Sequence, residues 1–272
     1  MGTGGQRVWC QTGLNEMAGQ VSCSVNGAVA SVLISHAGKF NAMSRSMWRD
    51  LKAVFEALAA SAELRCVVIA GEGGHFCAGG DIAEYPAFRF QPDSLADFHE
   101  QDVWGGLDAV LQCPVPVVAA IDGNCMGAGV EIASCCDLRV AGASARFGAP
   151  IARLGFPMAP REAQLVASAV GMATAREMLL EAAVLDAHEM KHRGFLNRVV
   201  HDADVQGEAA ATAARVASLA PQAARLNKQT LRALSGNTEP MHTLVARAYT
   251  YAPHPEHREG IDSFLAKRKP VF

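Results

Sequence analysis

Apolar and polar positions alternate through residues 20–35. Val21, Cys23 and Val25 carry one run, Val29, Val32 and Ile34 the next, and Asn26-Gly27 stands between them. Asn-Gly between alternating runs predicts a β-hairpin with both turn residues at positive φ. From Ser44 to Ala60 the spacing becomes helical, with Met47, Leu51, Val54, Phe55 and Leu58 on one face and Ser44 placed to cap. Cys66–Ala70 and Val115–Ile121 are continuous apolar runs and predict strands covered on both faces, with Leu138–Ala141 a third candidate. Helical stretches separate them, so the pattern predicts an α/β fold with a mostly parallel sheet. Ligands of such sheets sit beyond the carboxyl ends of the strands. Two glycine-rich loops, 71–80 and 123–129, follow strands there. After Asp202 the pattern is helical, over 203–219, 221–234, about 238–251 and 256–267, punctuated by Pro221, Pro240, Pro253 and Pro255.

Composition narrows the function classes. The 272 residues are 50% hydrophobic and 19% charged, enough apolar surface for a large core. A formal charge of −3 argues against a polybasic nucleic-acid or membrane-surface protein. No apolar run is long enough for a membrane span, and the first 20 residues lack the apolar stretch of a secretion signal. Gln6 spoils a myristoylation start that begins Met1-Gly2. The eight cysteines show no CxxC and no framework spacing, which reads as buried thiols of a reducing, cytoplasmic compartment.

The loop from Gly71 to Ile82 carries glycines after a buried strand, a way to turn backbone N–H groups toward a ligand. It is neither a P-loop nor a dinucleotide fingerprint. The second loop leads into a short helix from about Gly127 to Cys135, whose start offers free N–H groups to negative charge. Glu131 stands in its first turn, where burial raises a carboxyl pKa and the helix start lowers it. His188-Glu189-Met190-Lys191-His192 satisfies the zinc motif HExxH. It reads as a chance match on a short helix capped by Asp186 and ended by Gly194, and no metal is expected.

Several motifs in order then resemble the crotonase superfamily, the enoyl-CoA hydratase/isomerase family. They are Phe40-Asn41-Ala42-Met43-Ser44, Phe76-Cys-Ala-Gly-Gly-Asp-Ile82, Asp122-Gly123 with Met126-Gly-Ala-Gly-Val-Glu131, Cys136-Asp137-Leu-Arg, Ala145-Arg-Phe-Gly148 and Arg258 through Lys269. The resemblance implies a spiral core of ββα turns over residues 20–201 and a helical C-terminal region for trimerisation over 202–272, after a flexible segment 1–19. It implies an acyl-CoA thioester as partner, in a homotrimer or a dimer of trimers, with coenzyme A as part of the substrate and no other cofactor. It places an oxyanion hole at the N–H groups of Gly80 and Ala128, and a catalytic glutamate at Glu131. Coenzyme A contacts fall at Lys39, Ala42, Ala78, Asp81 and Ile82, with Phe264 and Lys267 reaching a neighbouring subunit's ligand.

Two places depart from the family pattern: the position of Ile151, and the Leu154-Gly155-Phe-Pro-Met158 segment, where the family has a glycine-rich loop. The second glutamate of the two-carboxylate hydratases should follow Phe147-Gly148-x-Pro150, and Ile151 stands there. Glu162 lies downstream and is an alternative second carboxylate, but Arg161 beside it and the helical setting favour a surface ion pair. The reading is hydration of a trans-2-enoyl-CoA, or its reverse, with one glutamate. Isomerisation or another single-base enolate reaction, and an acyl-CoA-binding protein without turnover, stand as alternatives.

Overall fold

A computed structural model describes residues 19–236, 243, 245 and 248–272. Strands β1 (Gln20–Asn26) and β2 (Val29–Ser35) form the expected antiparallel hairpin, with Asn26 paired to Val29. The turn is shifted by one residue from the expected Asn26-Gly27. Asn26 ends the strand, and Gly27 (φ +58°) and Ala28 make the turn. A loop with only its first residue at positive φ needs glycine there alone, which frees Asn26 to stay extended.

Helix α1 (Arg45–Ala59) starts where Ser44 Oγ accepts from the Met47 N–H at 3.3 Å, and it buries Met47, Trp48, Leu51, Phe55 and Leu58. Strand β3 (Cys66–Gly71) then lies parallel to β2. Helices α2 (Pro92–Asp97) and α3 (Trp104–Gln112) follow, joined by a π-helical turn over Phe98–Val103. Strand β4 (Val117–Ile121) runs parallel to β3 and starts later than expected, since Pro116 has no N–H for the ladder.

From here the chain repeats strand, strand, helix. Strand β5 (Asn124–Met126) precedes α4 (Ala128–Cys135), and β6 (Leu138–Gly142) with β7 (Arg146–Gly148) precede α5 (Pro160–Val170) and α6 (Met172–Leu180). Strand β8 (Val184–Asp186), helix α7 (Ala187–His192) and strand β9 (Arg198–Val200) complete this part. One sheet has the order β1-β2-β3-β4-β6-β9 and the other β5-β7-β8. The long, short alternation along the chain thus feeds two sheets in turn.

The large sheet is covered on both faces, as the continuous apolar runs require. Val67, Ile69, Val117, Ala119 and Ile121 face the main core with α1, α3 and α4. Their neighbours Cys66, Val68, Ala70, Val118 and Ala120 face α8 (Val205–Ala217) through Val205, Ala209 and Ala213. Helix α9 (Pro221–Gly236) is anchored by Lys228, whose buried Nζ donates to Asp137 Oδ2 at 2.7 Å and Val115 O at 2.8 Å. The last helix, α10, spans Pro255–Leu265. Most of the helix expected at 238–251 lies outside the described residues.

Candidate active site

The two glycine-rich loops meet at the carboxyl ends of β3 and β4. Cys77 and Cys125 bridge the loops in parallel, and the Met126 N–H donates to Cys77 O at 2.9 Å. Gly80 is bridged to Met43 through its neighbours: Met43 N–H donates to Gly79 O, and Asp81 N–H donates to Met43 O, both at 2.8 Å. A parallel bridge of this kind leaves the central residue's own N–H turned the other way. In the second loop, Gly127 holds φ +47° and ψ −109°, a conformation that a side chain resists, and it caps α4. Ala128 is then the first residue of that helix, whose N–H has no intrahelical acceptor. The N–H groups of Gly127 and Glu131 are used, toward Gly148 O at 2.8 Å and Gly127 O at 3.0 Å. Those of Gly80 and Ala128 donate to no backbone acceptor among the described residues. Gly129 explains how the two segments come so close: a Cβ there would lie 2.6 Å from Cys77 O.

Both residues line a cavity of about 340 Å³, together with Ala78, Ile82, Glu131 and Ile151. Glu131 therefore shares a chamber with the two candidate amides. Burial, assisted by the negative charge of Glu162, pushes its carboxyl from 4.5 up to about 8. The contest between burial and helix start goes to burial. Ile151 lines the cavity at the position of the second family glutamate, together with Arg153, Leu154, Phe156 and Met158, so no carboxylate stands at that position.

Of the remaining expected residues, Lys39, Ala42 and Asp81 do not line the chamber but lie next to the first loop, and Phe264 and Lys267 are not brought to it. Lys39 Nζ pairs with Asp81 Oδ2 at 2.6 Å, and Asp81 also caps the 3-10 turn that begins at Ile82. Ala42 is buried beside them, while Phe264 and Lys267 sit exposed at the end of α10. The Asn41 side chain is occupied in holding the first loop, donating to Glu72 O and His75 O and accepting from the His36 N–H. His75 is likewise a loop residue, accepting from the Asn124 N–H at 3.1 Å.

Glu162 is not half of a surface pair with Arg161. It is 2% exposed and meets His99 Nδ1 at 3.0 Å, while Arg161 pairs with Glu100 and lies over Trp104. The reason is helical register: Glu162, Val166 and Val170 are spaced by four and form the buried stripe of α5. That spacing was available in the sequence. His99 carried no such signal, nor did Tyr85, whose hydroxyl packs against the Gly80 α-carbon on the cavity wall.

In the HExxH segment, Asp186 Oδ1 caps α7 by accepting from the Glu189 N–H at 2.8 Å, and Glu189 Oε1 pairs with Arg193 at 2.7 Å. His188 and His192 are exposed. Among the described residues, no group of three or more His, Cys, Asp or Glu side chains is placed to hold a metal ion. Cys66, Cys77, Cys113, Cys125, Cys135 and Cys136 are buried thiols without disulfide partners. No helix of the described residues is long and apolar enough to cross a membrane. A second cavity, about 440 Å³, lies between α9 and α10 and contains none of the two loops.

A doubly covered sheet, a second small sheet and two loops that converge on a buried glutamate define an α/β fold of the crotonase type. The profile of the Enoyl-CoA hydratase/isomerase family matches residues 24–272, and the chain belongs to that family. Among curated relatives, a probable enoyl-CoA hydratase of Rhizobium meliloti is 31% identical, over 90% of this chain and 95% of its own length. The mevalonyl-coenzyme A hydratase of Beauveria bassiana is 30% identical, over 90% and 91%. Among solved structures, an enoyl-CoA hydratase/carnithine racemase from Magnetospirillum magneticum superposes with a TM-score of 0.88 at 36% identity. That match covers 93% of this chain and 94% of the other.

Proposed function

We propose that this enzyme of the hydratase/isomerase family adds water to a trans-2-enoyl-CoA, or removes it in reverse, with coenzyme A entering as part of the substrate. The thioester oxygen takes hydrogen bonds from the N–H groups of Gly80 and Ala128. Water adds at the β-carbon, and the electron pair of the double bond moves toward that oxygen. Two preset donors stabilise the charge where it develops, each worth about 3 kcal/mol in comparable sites. Glu131 then gives its proton to the α-carbon. In the reverse direction its carboxylate removes that proton.

The observation that carries this reading is the shared chamber. A carboxyl with a pKa near 8 stands beside two amides without backbone acceptors. At neutral pH such a group holds its proton and serves as the acid. The test is the loss of crotonyl-CoA absorbance. Wild type should turn over, and Glu131→Gln should lose at least about 100-fold in kcat. Equal rates would reject Glu131.

Ile151 favours a second reading, a single-base enolate reaction such as double-bond isomerisation. Exchange of the α-proton without water addition would select it. Binding of acyl-CoAs without either reaction would select a non-catalytic member. We further propose a homotrimer or a dimer of trimers, in which Phe264 and Lys267 reach a neighbouring subunit's coenzyme A. The exposure of Phe264, 81%, supports a contact made outside its own chain.

A further inference from the structure

Water addition needs a base for the water as well as an acid for the α-carbon, and Glu131 with its proton fills only the second role. The position of the second family glutamate is the apolar Ile151, so the base has to come from elsewhere on the cavity wall. The polar and charged groups lining the cavity are Glu131, Tyr85, Arg89, Arg153 and His99. The two arginines are always protonated. Arg89 stacks over Phe156 with its guanidinium 3.8 Å from the ring centroid, and Arg153 donates to Ala182 O. Burial pushes the Tyr85 hydroxyl up, which holds it neutral. His99 is left.

We infer that His99, oriented by the buried Glu162 carboxylate, is the base that takes the proton from the attacking water. This rests on the hydration reading above and supplies the group that reading lacks. His99 sits on the π-helical turn Phe98–Val103, a kind of irregularity that concentrates at functional sites. Its Nδ1 lies 3.0 Å from Glu162 Oε1. A carboxylate only accepts hydrogen bonds, so a proton between them belongs to Nδ1, which leaves Nε2 as the nitrogen that can exchange a proton with water. Nε2 makes no hydrogen bond among the described residues. Glu162 is otherwise hard to explain. A carboxylate in the buried stripe of a helix is costly, and His99 is its one side-chain partner among the described residues. Carboxylate and imidazole in this relation fix a tautomer and stabilise the imidazolium that forms.

The step balances. A water O–H bond breaks, its proton goes to His99 Nε2, and its oxygen bonds to the β-carbon. The π electrons move onto the thioester enolate, which then takes the Glu131 proton at the α-carbon. His99 is left protonated and Glu131 deprotonated, and solvent returns each to its starting state. Glu162 touches no reacting atom and is a positioning residue.

The experiment follows crotonyl-CoA hydration in wild type, His99→Ala and Glu162→Gln, together with α-proton exchange of butyryl-CoA in heavy water. His99→Ala should lose about 100- to 1,000-fold in kcat with KM within about threefold. Added imidazole should restore about tenfold or more of the lost rate, and α-proton exchange through Glu131 should persist, which also reports that the variant is folded. Glu162→Gln should lose about tenfold in kcat, with no response to imidazole. Hydration that survives His99→Ala, or a loss that imidazole does not restore, overturns the inference while leaving the hydration reading standing. No hydration by wild type overturns the hydration reading, and the water-activating role of His99 with it.

Discussion

Glu131 is a carboxyl that the fold destabilises in order to keep its proton. Unfolded, it titrates near 4.5, and folded, near 8. Below about 4.5 it is protonated in both states and contributes no difference. Between the two values the folded state holds a proton that the unfolded state releases. Stability is therefore lost as pH rises toward 8, at about 1.4 kcal/mol per unit and a few kcal/mol in total. Glu131→Gln should remove this dependence. Thermal melts should show the variant level with wild type at pH 4.5 and several degrees more stable at pH 8.5. Hydration by wild type should fall as pH rises through 8, because the acid is lost. Glu131 was legible from its place three residues after Ala128 at a helix start. Its titration was not, because burial and helix start oppose each other and only the packed chamber decides between them. Glu162 shows a different limit: Arg161 beside it invited a surface pairing, yet the four-residue spacing to Val166 and Val170 outweighed that neighbour.

At the scale of elements, the site depends on α4 approaching the first loop. Gly129 is the contact point, since a methyl group there would meet backbone, Cys77 O, which has no flexible end to yield. Gly129→Ala should cost about 1–3 kcal/mol in denaturant unfolding. It should also lower kcat more than the stability loss alone would, because the helix start that holds Ala128 moves away from Gly80. Wild-type kcat in a stably folded Gly129→Ala would contradict this. The strands and helices that build this contact were legible from periodicity. Continuous apolar runs marked β3 and β4, and helical spacing marked α1. The three-residue strands β5, β7 and β8 were not, since a strand of three leaves no period to read and owes its pairing to neighbours distant in sequence. The hairpin turn missed by one residue for a related reason: Asn-Gly marks a turn, but cross-strand register chooses which residues make it.

On the scale of the whole molecule, α8 seals one face of the large sheet, while α9, though anchored to the body through Lys228 and Arg225, and α10 leave apolar residues exposed. Leu231, Leu234, Ile261, Phe264 and Leu265 are all exposed. Exposed apolar residues of this kind are what the proposed assembly would cover. Light scattering should give the mass of three or six chains, and Phe264→Ala should raise KM for crotonyl-CoA severalfold with kcat little changed. A monomer with unaltered KM would contradict the proposed assembly. The central claim concerns main-chain atoms, which side-chain substitution cannot remove, so a bound ligand tests it most directly. A crystal structure with acetoacetyl-CoA should place the thioester oxygen about 2.7–3.1 Å from both the Gly80 and Ala128 nitrogens, with the Glu131 carboxyl facing the α-carbon. A thioester oxygen bonded to neither nitrogen, or to only one, would contradict the account.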